Sequence, residues 1–204
     1  MYKIYGSPGT SAGRCYWMLE ELGVPYERVP LSMSQREHKS PEYLKINPNG
    51  KVPTLTDGEI VIWESMAINS YLAAKHNPDM LGKNPQEIGQ IQQWSYWSIL
   101  EVQKHAIEWF IQVKFVPDER RDLAVIEKAQ KNLIPLFNIL NNKLENQKFL
   151  VGNRFTLADL NVSSTVNVAQ MMGWNFKDTP HLETWFKACH DRPAWHKVCS
   201  LPQL

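Results

Sequence analysis

The segment Asn47-Pro48-Asn49-Gly50-Lys51-Val52-Pro53-Thr54-Leu55 places a valine–proline bond at the start of a short apolar strand. Because proline has no N–H for a sheet ladder, it belongs at a sheet edge or at the first residue of a strand. An X-Pro bond is also the peptide bond at which the cis form costs least. A cis bond here would turn the N–H and C=O of Val52 outward. The segment therefore predicts an edge where a short extended peptide pairs with the protein backbone.

A predicted helix start lies a few residues after this edge. Glu64-Ser65 precedes the apolar run Met66-Ala67-Ile68, which indicates a buried helix. A hydroxyl and the free N–H groups of a helix N-terminus together form a small anion receptor. A strand edge beside an anion receptor suits a short acidic peptide.

Residues 1–77 alternate short strands with helices, an order typical of a thioredoxin-like α/β domain. Gly23 is expected to end the first helix, and Asp57-Gly58 is a hairpin turn signal. The predicted strands are Lys3–Tyr5, Tyr26–Leu31, Val52–Thr56 and Ile60–Trp63, and the predicted helices are Ser11–Leu22, Pro41–Lys45 and Glu64–His76.

Residues 78–85 form the predicted linker, and residues 86–204 the predicted all-helical domain. Pro135 lies inside the second long helix, where we expect it to bend the chain. Thr156-Leu157-Ala158-Asp159 has the form of a capping box, a structural role that gives these residues no part in catalysis. The predicted helices are Gln86–Phe115, Glu119–Glu145, one from Thr156 to about Met172, Pro180–Cys189 and Pro193–Val198.

Four pieces of the chain, in this order and spacing, resemble the cytosolic glutathione transferases: Tyr2–Tyr5 with Ser7–Arg14, Asn47–Leu55, Glu64–Tyr71 and Gly152–Asp159. The resemblance implies a thioredoxin-like glutathione-binding domain followed by an all-α helical domain. It implies a serine-type (phi, delta or theta-like) member of bacterial type, which forms a homodimer. It also implies an enzyme that activates the glutathione thiol for attack on a hydrophobic electrophile.

The first strand-to-helix turn, Gly6-Ser7-Pro8-Gly9-Thr10-Ser11, is the candidate for thiol activation. From the residues alone, Thr10 and Ser11 are more simply N-cap residues of the first helix. The resemblance implies that a hydroxyl here donates to the bound thiolate; by position it falls on Thr10, with Ser11 a near equal. Tyr5 stands too far from the motif and is expected in the core. Cys15 lies inside the helix, so a cysteine-type mixed-disulfide mechanism is not expected.

The resemblance also implies how the ends of glutathione are held. Val52 pairs its backbone with the cysteinyl part beside a cis Pro53. Glu64 and Ser65 hold the γ-glutamyl amine and carboxylate.

The glycyl carboxylate is the remaining charged group of glutathione. By resemblance, Lys39 and Lys51 fall where family members bind it, and His38 is a weaker candidate. Gly50 stands where some relatives place a histidine, so that contact should be absent. Without the family, both lysines would be ordinary exposed loop residues.

Composition argues against several classes of partner. The net charge is +1, from 22 basic and 21 acidic residues, with no basic stripe typical of nucleic-acid binding. No apolar run approaches the roughly 18 residues of a membrane span. The N-terminus begins directly with a strand pattern and lacks a signal-peptide layout. The cysteines Cys15, Cys189 and Cys199 form no CxxC motif, which favours a reducing, cytoplasmic location.

A metal site is a further interpretation, suggested by His181, His190 and His196 with Cys189 and Cys199. Their spacing fits no zinc pattern. We therefore expect no metal and no cofactor, with glutathione as a co-substrate.

The sequence gives less information on the binding pocket of the second substrate, the electrophile. Trp109 and Phe110 are candidates for its pocket, although aromatic residues at helical spacing are more often core. Two other functions remain open. One is a glutathione-dependent disulfide reductase or peroxidase that uses the same binding site, and the other is a non-enzymatic glutathione-transferase-like binding module.

Overall fold

The computed structural model describes residues 1–202, and the chain forms two compact units. The first unit comprises Met1–Leu81 together with the segment that begins at Asp191, and the second comprises Gly82–His190. The first unit has a mixed sheet with helices, and the second is helical. The predicted fold class is thereby confirmed.

The bounds of most elements lie within a few residues of the predicted ones. The strands are β1 (Tyr2–Tyr5), β2 (Tyr26–Val29), β3 (Thr54–Asp57) and β4 (Ile60–Trp63). The helices are α1 (Gly13–Leu22), α2 (Pro41–Ile46), α3 (Ser65–His76), α4 (Pro85–Trp97), α5 (Lys104–Lys114), α6 (Leu123–Leu144), α7 (Leu157–Met171), α8 (Pro180–His190) and α9 (Pro193–Ser200).

The sheet of the first unit has the strand order β2-β1-β3-β4. β1 pairs in parallel with β2 and antiparallel with β3, which in turn pairs antiparallel with β4. A parallel pair needs a crossover connection, and α1 supplies it. Gly58, at φ +61, lies in the β3–β4 hairpin turn, as predicted.

Buried apolar side chains from the sheet and from α1 and α3 form the core of the first unit. Gly23 ends α1 in the left-handed conformation, at φ +63, as predicted. Fully buried residues of this core include Ile4, Leu55, Tyr16, Trp17, Ile68 and Leu72.

Three predicted starts were wrong. α6 begins at Leu123, four residues after the predicted Glu119, because the Asp122 side chain caps the helix there. α1 begins at Gly13, not Ser11, and Ala12 occupies its N-cap position. Neither Thr10 nor Ser11 is therefore the N-cap residue of this helix. β3 begins at Thr54, two residues after the predicted Val52, because the ladder to β1 ends at the Tyr5–Thr54 pair.

The C-terminal helix α9 packs on α1 within the first unit. The rings of Trp17 and Trp195 are 4.8 Å apart. Arg192 donates to both carboxylate oxygens of Glu21, at 2.6 and 2.7 Å. A bidentate arginine–carboxylate pair of this kind fixes orientation as well as position.

The second unit departs from the predicted single helix over Gln86–Phe115. α4 passes into a π-helical segment, Ser98–Gln103, and then into α5. Asn84 caps α4 through its side chain, which accepts from the Glu87 N–H. None of the helices within residues 1–202 is long and apolar enough to cross a membrane.

The predicted capping box at the start of α7 is confirmed. The Asp159 carboxylate accepts from the Thr156 N–H at 2.9 Å and from its hydroxyl at 3.0 Å. It also accepts from the Leu150 N–H and from the Trp185 indole, both at 2.9 Å. Asp159 is fully buried, so these donors replace the water that the carboxylate loses on folding.

Candidate functional site

Glycine at two positions lets the turn after β1 approach its neighbours closely. Gly6 has φ +115, and a Cβ there would lie 2.9 Å from the Cβ of Val52 and 3.1 Å from that of Ala12. A Cβ at Gly13 would lie 2.4 Å from the carbonyl oxygen of Pro8. The turn is therefore packed against Val52 at one end and against its own backbone at the other.

The hydroxyl groups of this turn differ in what they contact. Thr10 Oγ1 donates to the Ser7 carbonyl at 2.7 Å and accepts from the Ala12 N–H at 3.2 Å. Ser11 is half-buried, and within residues 1–202 no hydrogen bond engages its hydroxyl. The Ser7 hydroxyl is buried and has no partner in that range. Ser11 thus holds a free donor, whereas Thr10 must release Ser7 in order to donate to a ligand.

Val52 lies just before β3, which is a central strand of the sheet and not an edge strand. The Val52–Pro53 peptide bond is cis, as predicted. Over the described part of the chain, neither the N–H nor the C=O of Val52 has a backbone hydrogen-bond partner. Both groups are therefore available to an extended ligand.

The start of α3 provides free backbone donors beside a carboxylate. The first helical bond runs from the Ile68 N–H to the Glu64 carbonyl at 3.0 Å, so among residues 1–202 the N–H groups of Ser65 and Met66 have no backbone partner. Glu64 is exposed and has φ +72 and ψ +115, a conformation that disfavours any residue with a side chain. The arrangement can hold a carboxylate at Ser65 and an ammonium group at Glu64.

Direct contacts join α1 to the start of α3. Cys15 is fully buried, and its Sγ donates to the Ser65 carbonyl at 3.6 Å. Asn69 Nδ2 donates to the Arg14 carbonyl at 3.3 Å. Burial raises the pKa of the Cys15 thiol, so this thiol stays protonated. Cys15 is thus a buried structural contact between α1 and the start of α3.

The two candidate lysines lie on or beside the loop that leads to Val52. The Lys39 ammonium donates to the Asn49 carbonyl at 3.1 Å. A Cβ at Gly50 would lie 2.8 Å from that nitrogen, so a side chain there would displace Lys39. Lys51 is exposed and forms no ion pair with the described residues. Burial and the neighbouring Lys39 lower the pKa of His38, which therefore adds no positive charge at neutral pH.

The other candidates from the sequence are three aromatic residues and a metal site. Tyr5 is half-buried, and its ring lies 5.9 Å from that of Tyr43. Trp109 is buried against Trp174, with ring centroids 6.4 Å apart, which is a core position. Phe110 is half-buried. Among residues 1–202, no group of three or more His, Cys, Asp or Glu side chains is placed to hold a metal ion.

Three residues that shape the site were not predicted from the sequence. Gly6 and Gly13 were overlooked, although two glycines flanking a run of hydroxyl residues were the available signal. Tyr43, in α2, donates its hydroxyl to the Lys51 carbonyl at 2.6 Å. No local pattern indicates that bond, because it depends on how α2 packs against the following loop.

Comparison with known proteins gives concordant matches. Two family models match the chain, "Glutathione S-transferase, N-terminal domain" at residues 1–74 and "Glutathione S-transferase, C-terminal domain" at residues 102–193. Glutathione S-transferase F9 of Arabidopsis thaliana is 31% identical over 96% of this chain and 95% of its own. Glutathione S-transferase 1 of Zea mays is 33% identical over 98% and 96%. The crystal structure of a theta class glutathione S-transferase from Xanthomonas axonopodis pv. citri, with glutathione bound, superposes with a TM-score of 0.91 at 31% identity, covering 98% of each chain.

Proposed function

The chain belongs to the glutathione S-transferase family, and on this premise we propose that glutathione binds along Val52 with its thiol beside Thr10 and Ser11. The protein is a glutathione transferase, an enzyme that activates the glutathione thiol for attack on electrophilic small molecules. The tripeptide lies extended, with its γ-glutamyl end at Ser65.

The observation that carries this proposal is the contact between the turn that bears the hydroxyl groups and the unpaired backbone of Val52. Gly6 lets the turn pack directly against Val52. Over residues 1–202 the N–H and C=O of Val52 have no backbone partner. A peptide paired with Val52 therefore runs beside the turn that carries Thr10 and Ser11. The middle residue of glutathione is its cysteine, so pairing at that residue brings the thiol to the hydroxyls.

The charges at the two ends of glutathione match the side chains on either side of Val52. The γ-glutamyl carboxylate is held by the Ser65 hydroxyl and by the free N–H groups at the start of α3, and the ammonium group by Glu64. The glycyl carboxylate is held by Lys39 and Lys51. Each end of the tripeptide thus meets groups of opposite charge or free hydrogen-bond donors.

Thiol ionisation is the chemical role of the turn. A free thiol has a pKa of about 8.5, and lowering it by about two units takes about 2.7 kcal/mol of thiolate stabilisation. One hydroxyl donor together with a helix N-terminus has that magnitude. The Ser11 hydroxyl is free to donate to the thiolate. The Thr10 hydroxyl can do so only after it breaks its hydrogen bond to the Ser7 carbonyl. The Ser7 carbonyl then keeps its bond from the Thr10 N–H, at 3.0 Å.

The thiolate sulfur then attacks an electrophilic carbon of the second substrate, forming a carbon–sulfur bond. The leaving group departs with its electron pair, or, in an addition, the neighbouring atom takes up a proton. The protein's own contribution is orientation and thiolate stabilisation. Because Cys15 is buried and protonated, its thiol takes no part in this step.

An activity panel tests this proposal against the other glutathione chemistries. The purified protein is assayed with glutathione and a chloronitroaromatic compound, a hydroperoxide or a mixed disulfide. We expect conjugation of the chloronitroaromatic, abolished when glutathione is omitted. Reduction of the hydroperoxide or the mixed disulfide without any conjugation would contradict it.

We further propose that the protein is a cytoplasmic homodimer. β4 is an edge strand, and its Ile60, Val61 and Trp63 are 50%, 44% and 40% exposed. Apolar side chains on an open sheet edge are unusual in a monomer and are normally covered by a partner. Light scattering at micromolar concentration is expected to give the mass of two chains. The mass of one chain would refute the dimer, and recovery of the protein outside the cytosolic fraction would refute the location.

A further inference from the structure

The carbonyl oxygen of Lys51 is held from beneath by two buried side chains. Tyr43 donates its hydroxyl to this oxygen at 2.6 Å, and Asn47 donates its Nδ2 at 2.8 Å. Tyr43 is 3% exposed and Asn47 is 2% exposed. Because this carbonyl belongs to the peptide unit whose N–H is that of Val52, these bonds fix the orientation of that unit.

Thr54 completes the network. Its hydroxyl lies 2.7 Å from the Tyr43 oxygen and accepts from Asn47 Nδ2 at 3.1 Å. Since the single Tyr43 proton goes to Lys51, the Thr54 hydroxyl donates to Tyr43. Every hydrogen of the two hydroxyls and of the amide then has an acceptor. Asn47 Oδ1 in turn accepts from the Asn49 N–H at 3.0 Å.

Such a network is costly to bury unless each group is satisfied, and here each group is. Burial raises the pKa of the Tyr43 hydroxyl, which keeps its proton and remains a donor at neutral pH. A phenylalanine at this position would fill almost the same volume. The hydroxyl therefore adds something that packing alone does not require.

We propose that Tyr43, acting with Asn47 and Thr54, is a positioning residue for glutathione: it presets the Lys51–Val52 peptide unit in the orientation that pairs with the cysteinyl backbone. The inference rests on the proposed function. A ligand that pairs with a peptide unit already held in place loses less freedom on binding than one that must order it. Tyr43 thus raises the affinity for glutathione because it orients the Lys51–Val52 peptide unit. It does not change the pKa or the reactivity of the thiol.

The test compares Tyr43→Phe with Tyr71→Phe. Tyr71 lies in the same unit and donates its hydroxyl to Asp57 at 2.6 Å, so the control deletes the same atom and a bond of equal length. For each variant, calorimetry gives the Kd for glutathione, ultraviolet absorbance against pH gives the pKa of the bound thiol, and thermal unfolding gives stability. We expect Tyr43→Phe to raise the Kd about three- to tenfold, where tenfold corresponds to about 1.4 kcal/mol. The bound thiol pKa should stay at the wild-type value, and Tyr71→Phe should leave both quantities unchanged.

A second pair of variants separates positioning from loss of fold. Thr54→Val removes the other hydroxyl of the network and should weaken binding in the same direction, whereas Thr54→Ser keeps it and should restore wild-type Kd. If Tyr43→Phe binds glutathione as tightly as the wild type, the inference is wrong and the proposed function stands. Equal weakening by Tyr71→Phe would also overturn it, since the effect would then follow from lost stability. A wild-type protein that does not bind glutathione would overturn both.

Discussion

Ser65→Ala removes one oxygen from the receptor for the γ-glutamyl carboxylate and little else. Ser65 is 5% exposed, so its hydroxyl is largely shielded from water. Water therefore competes little for a hydrogen bond made by this hydroxyl. A hydrogen bond to a charged group contributes about 1.5–3 kcal/mol. At about 1.4 kcal/mol per decade, the Kd for glutathione should rise roughly ten- to a hundredfold.

The fold should not suffer from this substitution. The bond from Cys15 to residue 65 uses the backbone carbonyl, which alanine keeps. Alanine is also a better helix former than serine, so α3 is not weakened. Thermal unfolding of the variant is therefore expected to match that of the wild type. Ser70→Ala, in the same helix, is the matched control and should not change the Kd.

Calorimetric titration with glutathione measures the effect, and absorbance of the bound thiolate accompanies it. The thiol pKa in the complex should be unchanged, because Ser65 is proposed to hold the far end of the tripeptide. Wild-type affinity in Ser65→Ala, with Ser70→Ala also unchanged, would refute the placement of the γ-glutamyl group at α3. A raised thiol pKa would show that Ser65 acts on the reacting sulfur instead.

Two further predictions concern the second unit. Hydrogen bonds from Arg154 lower the pKa of Glu87 from 4.5 to about 2; because the folded value is the lower one, this stabilisation is complete above about pH 4.5 and fades as the pH falls toward 2. Urea unfolding at stepped pH should show that loss in the wild type and a flatter profile in Glu87→Gln, and identical profiles would count against the pair. Asp159→Ala leaves the buried Trp185 indole and Thr156 donors without an acceptor, so it should lower the free energy of unfolding by about 3 kcal/mol or more. A loss below about 1 kcal/mol would show that Asp159 is not needed to satisfy them.

Glycine, proline and turn residues in the sequence were enough to predict where many strands and helices begin and end. The strand Ile60–Trp63 was predicted residue for residue, because a short apolar run lies between the Asp57-Gly58 turn and a helix start. Gly23 and the cis bond before Pro53 were likewise predicted, since glycine adopts the left-handed conformation of a helix end without steric cost and an X-Pro bond is where the cis form costs least. These features depend on neighbours along the chain.

Other features of the fold could not be predicted from local sequence patterns. The contact of Arg192 with Glu21 joins positions 171 residues apart, and no pattern around Pro193–Val198 points to it. The π-helical segment after Trp97 also escaped prediction, because its residues are compatible with an ordinary helix.

The candidate residues of the site could be named from the sequence, but their hydrogen-bond partners could be seen only in the structure. In the sequence, position favoured Thr10 and left Ser11 a near equal. They differ in the structure because the Thr10 hydroxyl is bonded to Ser7, whereas that of Ser11 has no partner within residues 1–202. The support of Lys51 by Tyr43 could not be predicted, because a tyrosine in a short helix is ordinarily read as packing.

The pKa of the glutathione thiol in the complex tests the central claim most directly. It is read from the ultraviolet absorbance of the thiolate against pH, in the wild type, in Thr10→Val and in Ser11→Ala. We predict a wild-type value about two units below the free value of about 8.5. At least one substitution should raise it while changing the Kd little, and turnover lost at neutral pH should partly return at higher pH. A bound thiol that ionises like free glutathione, or one whose pKa neither substitution moves, would contradict the assignment of thiol activation to this turn.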